Sequence, residues 1–476
     1  MADFNLSLND DQLALKEWIN GFAKDVMRPA AEEWDEREEF PWPVVQEAAK
    51  IGLYGIDFMM NAMFDPTGLT MPVAVEELFW GDAGIGLSIM GSGLAAAGIS
   101  AVGTQEQIME WVPQCYGTAD KVQLGAFCVS EPDAGSDVSS LRTRAVYDEA
   151  NDEWVLNGTK AWITNGGIAD VHVVVAAVDP ELKGRGQASF IVPPGTKGLS
   201  QGTVHHKLGF RASVTAEVVL DNVVVPGDCL LGGKSALDKR LAKARSGESA
   251  GGQAAMATFE GTRWMVAAMG VGLARAAYEY ARDYAKEREA FGKKIAEHQQ
   301  VAEMLADMAT KIHLARLGVI DAARTYLTTG KLKRAQGSMV KYFASEMSER
   351  VTSDALRGSP TAPSLSWPAS DLPTQQTRLR PICLALYKFR SARPTKSRML
   401  SPTTNCATPM EIVICPSDSP DDFLITFLAS MARRICSSTS SFRRRRSVVS
   451  RSLTSRLSSS NRWLTSWWAA PAVAGP

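Results

Sequence analysis

The first candidate functional segment of this sequence is 127–136, where an apolar run leads into small and hydroxyl-bearing residues. The segment reads Phe127-Cys-Val-Ser-Glu-Pro-Asp-Ala-Gly-Ser136. Gly135 lets the backbone approach a ligand closely, while the hydroxyls of Ser130 and Ser136 and nearby N–H groups offer hydrogen-bond donors. A Gly/Ser loop is more often structural than functional, so this segment alone does not define a site.

A flat ring and a hydroxyl follow in Trp162-Ile163-Thr164. They stand two residues apart, which places both on the same face of a regular strand. A planar ring beside fixed donors suits a flavin, because the aromatic side chain covers an apolar face and the donors stabilise charge developing on the reducible ring. Together the two segments predict a flavin cradle.

Four blocks resemble motifs of the acyl-CoA dehydrogenase family. They match, in chain order, [Y/F]-C-V-[S/T]-E-P-x-A-G-S at 127–136, W-I-T-N-G at 162–166, K-[LM]-G-x-R-x-S at 207–213, and R-x-x-F-G-K…Q at 288–299. Their order and spacing agree over roughly residues 5–357, so the chain is identified as a member of this family. The resemblance implies a helical N-terminal domain, a central β-domain and a C-terminal helical bundle.

FAD is the cofactor that the resemblance implies. The residues expected to contact it within one subunit are Phe127, Val129, Ser130, Gly135, Ser136, Trp162, Ile163 and Thr164. The fourth block matches positions that contact the FAD of a neighbouring subunit, and it contains Arg288, Phe291, His298 and Gln299. Composition alone would make Arg288 a solvated helix charge, but the R-x-x-F-G context favours the cofactor role. This block therefore implies an oligomer, either a dimer or tetramer or a heteromer with a related subunit.

The substrate implied by the resemblance is an acyl-CoA. The segment Phe259-Glu260-Gly-Thr-Arg263 resembles F-[DE]-x-x-R, in which the acid and the Arg help to hold the CoA portion. An acid near a helix N-terminus is also favoured by the helix dipole, so a purely structural Glu260 remains open. Ser136 is expected to face the substrate end of the flavin site. An electron-transfer flavoprotein is the expected electron acceptor.

The catalytic base of the family is not found in the sequence. The family reaction converts an acyl-CoA to the trans-2-enoyl-CoA, and a carboxylate removes the α-proton while hydride leaves the β-carbon for the flavin. In most members this carboxylate lies in a Y-E-G-T-like motif after G-G-x-G-Y, and residues 358–476 contain neither motif. In a minority it precedes the Arg matched by Arg263, where this chain has Thr262.

Three hypotheses account for this gap. The first is an acyl-CoA dehydrogenase of fatty-acid or related acyl-CoA oxidation whose activity is impaired. The second is a non-catalytic FAD- or acyl-CoA-binding subunit whose partner supplies the carboxylate. The third is a frameshifted, defective copy, because Ser, Arg and Pro become abundant at Gly358. A functional basic tail that contacts a membrane or nucleic acid through Arg443–Arg446 is less favoured, and most of 358–476 is predicted to be disordered.

Hydrophobic periodicity predicts the helices and strands that carry these candidate residues. It predicts an α+β multidomain fold with an α-helical domain over 1–120, a β-domain over 121–233, an incomplete helical bundle over 234–357 and an irregular tail over 358–476. Asn9 and Gln12 form a capping box, and Pro29 is expected to end or kink the first helix. Asn157-Gly158 predicts a two-residue hairpin turn. Residues 234–256 are interpreted as a polar connection before three long helices.

Composition limits the class of protein further. The chain has 476 residues, with 45% hydrophobic and 22% charged residues and a formal net charge of −1, which argues against a nucleic-acid binder. Residues 358–476 nevertheless hold 16 Lys/Arg against 5 Asp/Glu. Seven cysteines without a C-x-x-C pair, and the lack of a secretory signal or a membrane-length apolar run, predict a cytoplasmic protein. No metal site is predicted.

Overall fold

The N-terminal part of the chain is helical in the computed structural model, which describes residues 8–247, 254–332 and 335–358. Its helices are α1 (Asp10–Phe22), α2 (Arg28–Arg37), α3 (Trp42–Lys50), α4 (Ile56–Met63), α5 (Thr70–Gly81), α6 (Ala83–Met90), α7 (Ser92–Val102) and α8 (Gln105–Gln114). All described residues belong to one compact unit. The predictions for residues 359–476 lie outside the described residues.

The first helix begins as its sequence predicts. The Asn9 side chain accepts the backbone N–H of Gln12 at 2.8 Å, and the Gln12 side chain accepts that of Asn9 at 3.1 Å, which confirms the capping box. Pro29 does not end the helical path. A wider π-helical turn, Ala23–Met27, precedes it, and α2 then carries the proline in its first turn, where a missing N–H is tolerated.

A seven-stranded sheet follows the helices and carries the predicted flavin segments. Its strands are β1 (Gly125–Cys128), β2 (Arg144–Asp148), β3 (Glu153–Thr164), β4 (Val171–Ala177), β5 (Gln187–Val192), β6 (Leu199–Val204) and β7 (Thr215–Pro226). The order is β1-β4-β2-β3-β7-β6, with β5 paired to β4. The β1–β4 pair is parallel, whereas the long β3–β7 pair is antiparallel. Every residue of β4 and β5 is buried, so these strands lie in the core.

The hairpin prediction at Asn157-Gly158 is wrong, because β3 runs through this dipeptide as one strand. The β3–β7 pairing shifts register between Leu156 and Gly158, which is the mark of a β-bulge. Gly158 has φ 149°, and a Cβ on it would lie 2.6 Å from the Thr143 hydroxyl. Two residues of β7 face the single residue Asn157 here, so the bulge lies in β7 and Gly158 serves the close approach beside it. The turn that does reverse the chain joins β2 to β3, with Asp152 at φ 52°.

Helices return after the sheet. The polar-connection prediction for 234–256 is wrong over α9 (Lys234–Arg245), whose Leu237, Leu241 and Ala244 pack inward. Residues 248–253 lie outside the described part. The three predicted long helices are α10 (Ala254–Glu287), α11 (Gln299–Thr329) and α12 (Gln336–Gly358), and a small hairpin of β8 (Glu289–Ala290) and β9 (Lys293–Lys294) joins the first two. The α+β multidomain fold class is thus confirmed.

One apolar stretch, Ala83–Val102, has the length and composition of a membrane-spanning helix, with a mean hydropathy of 1.7. The structure divides it into α6 and α7. Just over half of the stretch (56%) is buried inside the protein. Such a stretch is weak evidence for a membrane span, because core helices have the same composition.

Candidate functional site

The loop after β1 presents an open surface of small residues. β1 is fully buried, and Val129 continues it into the interior. The loop then emerges: Ser130 is half-buried, and Gly135 and Ser136 are exposed. A Cβ added to Gly135 would meet no described atom within 4 Å. A flat ligand could therefore approach this backbone closely.

Trp162 stands beside this loop in an unusual conformation. Its φ is 63°, a left-handed value that bulky residues rarely adopt, and its ring is 60% exposed. The neighbouring Ala161 N–H donates to the Ser130 carbonyl at 2.8 Å, which joins the strand to the loop. The Trp162 ring stacks on His205 with 3.9 Å between ring centroids and 21° between planes. His205 Nε2 is buried and has no hydrogen-bond partner among the described residues.

The end of β3 lies against the helical layer. Ile163 is buried in the core, whereas Thr164 is half-buried. A Cβ on Gly91, at the start of α7, would lie 3.1 Å from the Thr164 methyl group. Asn165 turns the chain with φ 60° and donates its side-chain amide to the Gly125 carbonyl at 3.1 Å. The W-I-T-N-G block thus links the strand to the base of β1.

The first turns of α10 border the flavin loop through two aromatic rings. Phe127 is buried, and its ring meets Phe259 edge-on at 6.0 Å. Glu260 is exposed and Arg263 is half-buried on the same helix. The Thr262 hydroxyl donates to the backbone carbonyl of Thr258 at 3.1 Å. The structure therefore brings the predicted substrate residues next to the predicted flavin residues.

The fourth motif lies on the β8–β9 hairpin. Phe291 at its tip is 97% exposed and has φ 53°, and Gly292 beside it has φ 77°. Arg288 and Gln299 are exposed on either side. The His298 ring is 3.1 Å from the Ala290 carbonyl through Nε2, and it contacts the Phe291 ring edge-on. The motif forms a protrusion with an uncovered aromatic tip.

The K-L-G-F-R-A-S block closes the connection from β6 to β7. Lys207 donates to the Ser213 carbonyl at 2.7 Å. Arg211 bonds the Asp35 carbonyl at 2.8 Å and pairs with Glu38 at 2.9 Å, which ties the connection to α2. These contacts give the block a structural role between the helical domain and the sheet.

Sequence reasoning missed two charged residues at the centre of the site. Lys160 on β3 and Glu131 in the loop form a buried ion pair with a 2.8 Å N–O distance. The signal was a lysine between Thr159 and Ala161 in a β-rich run. Period-2 alternation cannot assign such a residue to one face of the sheet when a bulge lies beside it.

Two surface clefts have volumes of about 440 and 570 Å³. The first lies between the α2–α3 region and the β6–β7 edge, with Trp34, Phe40 and Val204 in its lining. The second lies between α1 and α4. Neither is lined by Phe259 or Arg263, so these two clefts do not locate the acyl-CoA site.

The residues present fit a flavin. The exposed Trp162 ring supplies a flat apolar surface, and the open Gly135–Ser136 backbone lies on a loop bonded to its strand. The unpartnered His205 Nε2 adds a buried polar atom beneath that ring. A planar ligand with polar edges can stack on this ring and approach the open backbone closely.

Sequence profiles of one family cover most of the chain. The profiles described as acyl-CoA dehydrogenase N-terminal, middle and C-terminal domain match residues 9–117, 126–223 and 249–357. An acyl-CoA dehydrogenase of Bacillus subtilis is 34% identical over 74% of this chain and 88% of its own length. A short-chain-specific acyl-CoA dehydrogenase of Clostridium acetobutylicum is 35% identical over 75% and 88%.

Solved structures agree. Butyryl-CoA dehydrogenase from Megasphaera elsdenii is 29% identical with a TM-score of 0.68, covering 80% of this chain and 95% of that one. Glutaryl-CoA dehydrogenase from Mycobacterium smegmatis in complex with FADH2 is 27% identical with a TM-score of 0.65, covering 81% and 91%. A chain from structural work on the electron transferring flavoprotein of Acidaminococcus fermentans is 32% identical with a TM-score of 0.68, covering 80% and 94%. This chain therefore belongs to the acyl-CoA dehydrogenase family of oxidoreductases, whose cofactor is FAD.

Proposed function

We propose that this chain binds FAD on the surface formed by Val129–Ser136 and Trp162–Thr164, and that its substrate is an acyl-CoA. The observation that carries the proposal is Trp162, an exposed ring on a left-handed backbone, bonded through Ala161 to the open loop at Ser130. Phe259 joins the N-terminal part of α10 to this surface. Glu260 and Arg263 then hold the CoA portion.

The chain's own residues provide binding and orientation. Bound FAD supplies the two-electron acceptor that dehydrogenation of a saturated carbon pair requires. Trp162 covers one apolar part of the ring system, and the hydroxyls of Ser130 and Thr164 donate to its polar edge. The buried β1 and the bulged β3 hold these groups on rigid strands, so little order must be gained on binding.

Proton removal is the step for which the sequence supplies no carboxylate at either position used by the family. Residues 358–476 contain no Y-E-G-T-like motif. Thr262 occupies the second position, and its hydroxyl is already donated to the helix backbone. A hydroxyl also titrates far above neutral pH, so it cannot act as the base. We infer that α,β-dehydrogenation by this chain is impaired.

The test separates cofactor binding from turnover. The purified protein is expected to bind FAD, seen as a flavin absorption band that stays with the protein through gel filtration. Octanoyl-, butyryl- and branched acyl-CoA with an artificial acceptor should turn over far more slowly than the enzyme median of about 10 per second. A well-folded preparation that takes up no FAD contradicts the binding site, and turnover at ordinary rates contradicts the impairment.

A second candidate, favoured by the backbone-bonded Thr262, is a subunit of a heteromer whose partner supplies the carboxylate. Isolation of the protein from its source cell would then recover a related chain with an E-G-T motif. Recovery of G-G-x-G-Y and E-G-T in another reading frame near codon 357 would instead identify a frameshifted copy.

We further infer a cytoplasmic oligomer that passes electrons to an electron-transfer flavoprotein. The 97% exposed Phe291 ring supports the oligomer, because it belongs to the block whose family resemblance implies contact with the FAD of a neighbouring subunit. The structural likeness to a chain from work on an electron transferring flavoprotein supports the acceptor. Reoxidation of the reduced protein by such a flavoprotein, followed by its absorbance, tests the electron transfer.

A further inference from the structure

A lysine with no exposed surface joins the loop after β1 to the strand that carries Trp162. Lys160 Nζ lies 2.8 Å from Glu131 Oε1 and 3.1 Å from the Val129 carbonyl oxygen. Lys160 is 0% exposed and Glu131 is 4% exposed. Lysine is almost never buried completely unless it is paired, so this position needs a reason.

The Glu131 carboxylate binds a third segment as well. Its Oε1 accepts the Thr143 N–H at 3.0 Å and the Thr143 hydroxyl at 2.5 Å, and its Oε2 accepts the Arg142 N–H at 2.6 Å. Burial alone would raise the pKa of Glu131, but the Lys160 charge and these hydrogen bonds outweigh burial and lower it. The carboxylate is therefore ionised at neutral pH and holds the loop, β3 and the approach to β2 together.

The backbone of β3 is arranged around this lysine. Pairing with β7 shifts register between Leu156 and Gly158 and again between Lys160 and Ile163. At the second shift two β3 residues, Ala161 and Trp162, face one residue of β7, so this bulge lies in β3. It breaks the alternation, so that Lys160 and Ala161 are both buried while Trp162 is 60% exposed. The inward direction of Lys160 and the outward direction of Trp162 thus arise from the same distortion of the strand.

Stability is a poor explanation for the pair. A buried ion pair seldom adds net stability over an apolar pair of similar volume, because desolvation of two charges offsets their attraction. What the pair does provide is fixed geometry, since Lys160 reaches the loop at two points, Val129 and Glu131. Both points lie in the segment expected to contact the flavin.

We propose that Lys160 and Glu131 are positioning residues that set the loop Val129–Ser136 at the distance from Trp162 that FAD requires. Neither side chain needs to touch the cofactor, since both act through the loop and the strand. The proposal rests on the proposed FAD site. The proposal goes further than the FAD site, because neither Lys160 nor Glu131 is among the predicted cofactor contacts.

Three variants test it with apoprotein and added FAD. Lys160→Met leaves the Glu131 charge buried without its partner, and Lys160→Met/Glu131→Gln removes both charges. Ile191→Ala, in the fully buried β5, is the control for a general loss of β-domain stability. Thermal unfolding and far-ultraviolet circular dichroism report the fold, and quenching of flavin fluorescence on titration gives the FAD Kd.

We expect Lys160→Met to lower both the melting temperature of the apoprotein and its affinity for FAD. The double variant should recover most of the melting temperature yet bind FAD about tenfold more weakly than the unmodified chain, because the link to Val129 is gone. Ile191→Ala should lower the melting temperature and leave the FAD Kd within about twofold, since its side chain contributes packing alone.

Several outcomes overturn the inference. A double variant that binds FAD as tightly as the unmodified chain shows that the pair only balances charge. Loss of the fold in both Lys160 variants makes the pair a folding element, which contradicts a positioning role. An equal loss of FAD affinity in Ile191→Ala shows that the effect follows general stability. If the unmodified, folded chain binds no FAD, the proposed function fails and this inference fails with it.

Discussion

Trp162, Asn165 and Phe291 adopt left-handed backbone conformations, with φ of 63°, 60° and 53°. Each lies in a motif expected to serve the cofactor. Such conformations cost of order 1–3 kcal/mol and persist only where the surrounding structure holds them. At Trp162 the support is visible in the Ala161–Ser130 hydrogen bond and the buried Lys160. Three of the eight described non-glycine residues with positive φ thus lie in motifs where a ligand or a second subunit is expected.

A single carboxylate tests the missing-base hypothesis. Thr262→Glu introduces a carboxylate at the position that precedes Arg263, and general-base catalysis contributes about 10²–10⁴-fold. We expect this variant to oxidise acyl-CoA at least about a hundredfold faster than the unmodified chain, measured with an artificial acceptor. Thr262→Gln, which has the same size and no basic carboxylate, should stay slow. Equal rates for the two variants would show that the missing base does not limit turnover.

At the scale of the element, helix ends and strand bulges set the positions of the site. Asp82 caps α6 by accepting the Ile85 N–H at 2.8 Å, and it is 5% exposed. The next turn of α6 meets the β6–β7 connection, where Ser88 donates to the Ala212 carbonyl at 3.0 Å. The cap therefore lies in the contact between the helical domain and the sheet.

Asp82 makes stability depend on pH. Burial, with a smaller contribution from the Asp35 charge, raises the pKa of Asp82 from 3.8 to about 6. Between these values the folded chain holds a proton that the unfolded chain has released, so rising pH favours unfolding. Asp82→Asn keeps a cap but cannot titrate. Relative to the unmodified chain, its free energy of unfolding should increase by about 1–3 kcal/mol as pH rises from 4 to 7. Urea unfolding at several pH values measures this, and a pH-independent difference would contradict it.

We expect Gly158, which lies beside a bulge of the β3–β7 pair, to tolerate no side chain. Gly158→Ala places a Cβ 2.6 Å from the Thr143 hydroxyl at φ 149°. We expect a loss of about 1–3 kcal/mol in the free energy of unfolding, together with weaker FAD binding, because Thr143 also bonds Glu131. Gly21→Ala, near the end of α1 with no described atom within 4 Å of the new Cβ, should be neutral or stabilising. Similar losses in the free energy of unfolding from both substitutions would show that position 158 has no particular need for glycine.

At the scale of the whole molecule, buried charges join the helical domain to the bundle. Arg275 on α10 pairs with Glu76 and Glu77 of α5, and Arg316 on α11 pairs with Glu76 at 2.8 Å. Burial alone would raise the pKa of Glu76, but the two arginines outweigh it and lower the pKa. The network fixes α5 against α10, the helix whose N-terminal part carries the predicted substrate residues.

Assembly should depend on the hairpin tip. Phe291→Ser removes a 97% exposed ring, and we expect it to shift the protein towards smaller species in size-exclusion chromatography with light scattering. Phe64→Ser, which removes a 75% exposed ring from the end of α4, is the matched control and should not change the mass. An unchanged mass for Phe291→Ser, or an equal change for both, would place the interface elsewhere.

The local sequence pattern determined much of the secondary structure of this protein. The Asn9–Gln12 capping box and the three long helices after residue 254 follow from capping chemistry and 3.6-residue periodicity, which depend only on near neighbours. The family and its cofactor follow from motifs that keep their spacing along the chain. The roles of the individual site residues and the domain boundaries remain predictions.

Tertiary structure decided what depends on distant partners. Asn157-Gly158 has the composition of a turn, yet it lies inside a strand because β7 continues the pairing around its own bulge and Thr143 approaches the glycine closely. A lysine is polar in any one-dimensional pattern, yet Lys160 is buried because Glu131, 29 residues earlier in the loop after β1, pairs with it. Sequence periodicity shows which face of a single helix or strand is buried. A bulge and a buried ion pair depend instead on contacts between segments that are distant in sequence, so they form only in the tertiary structure.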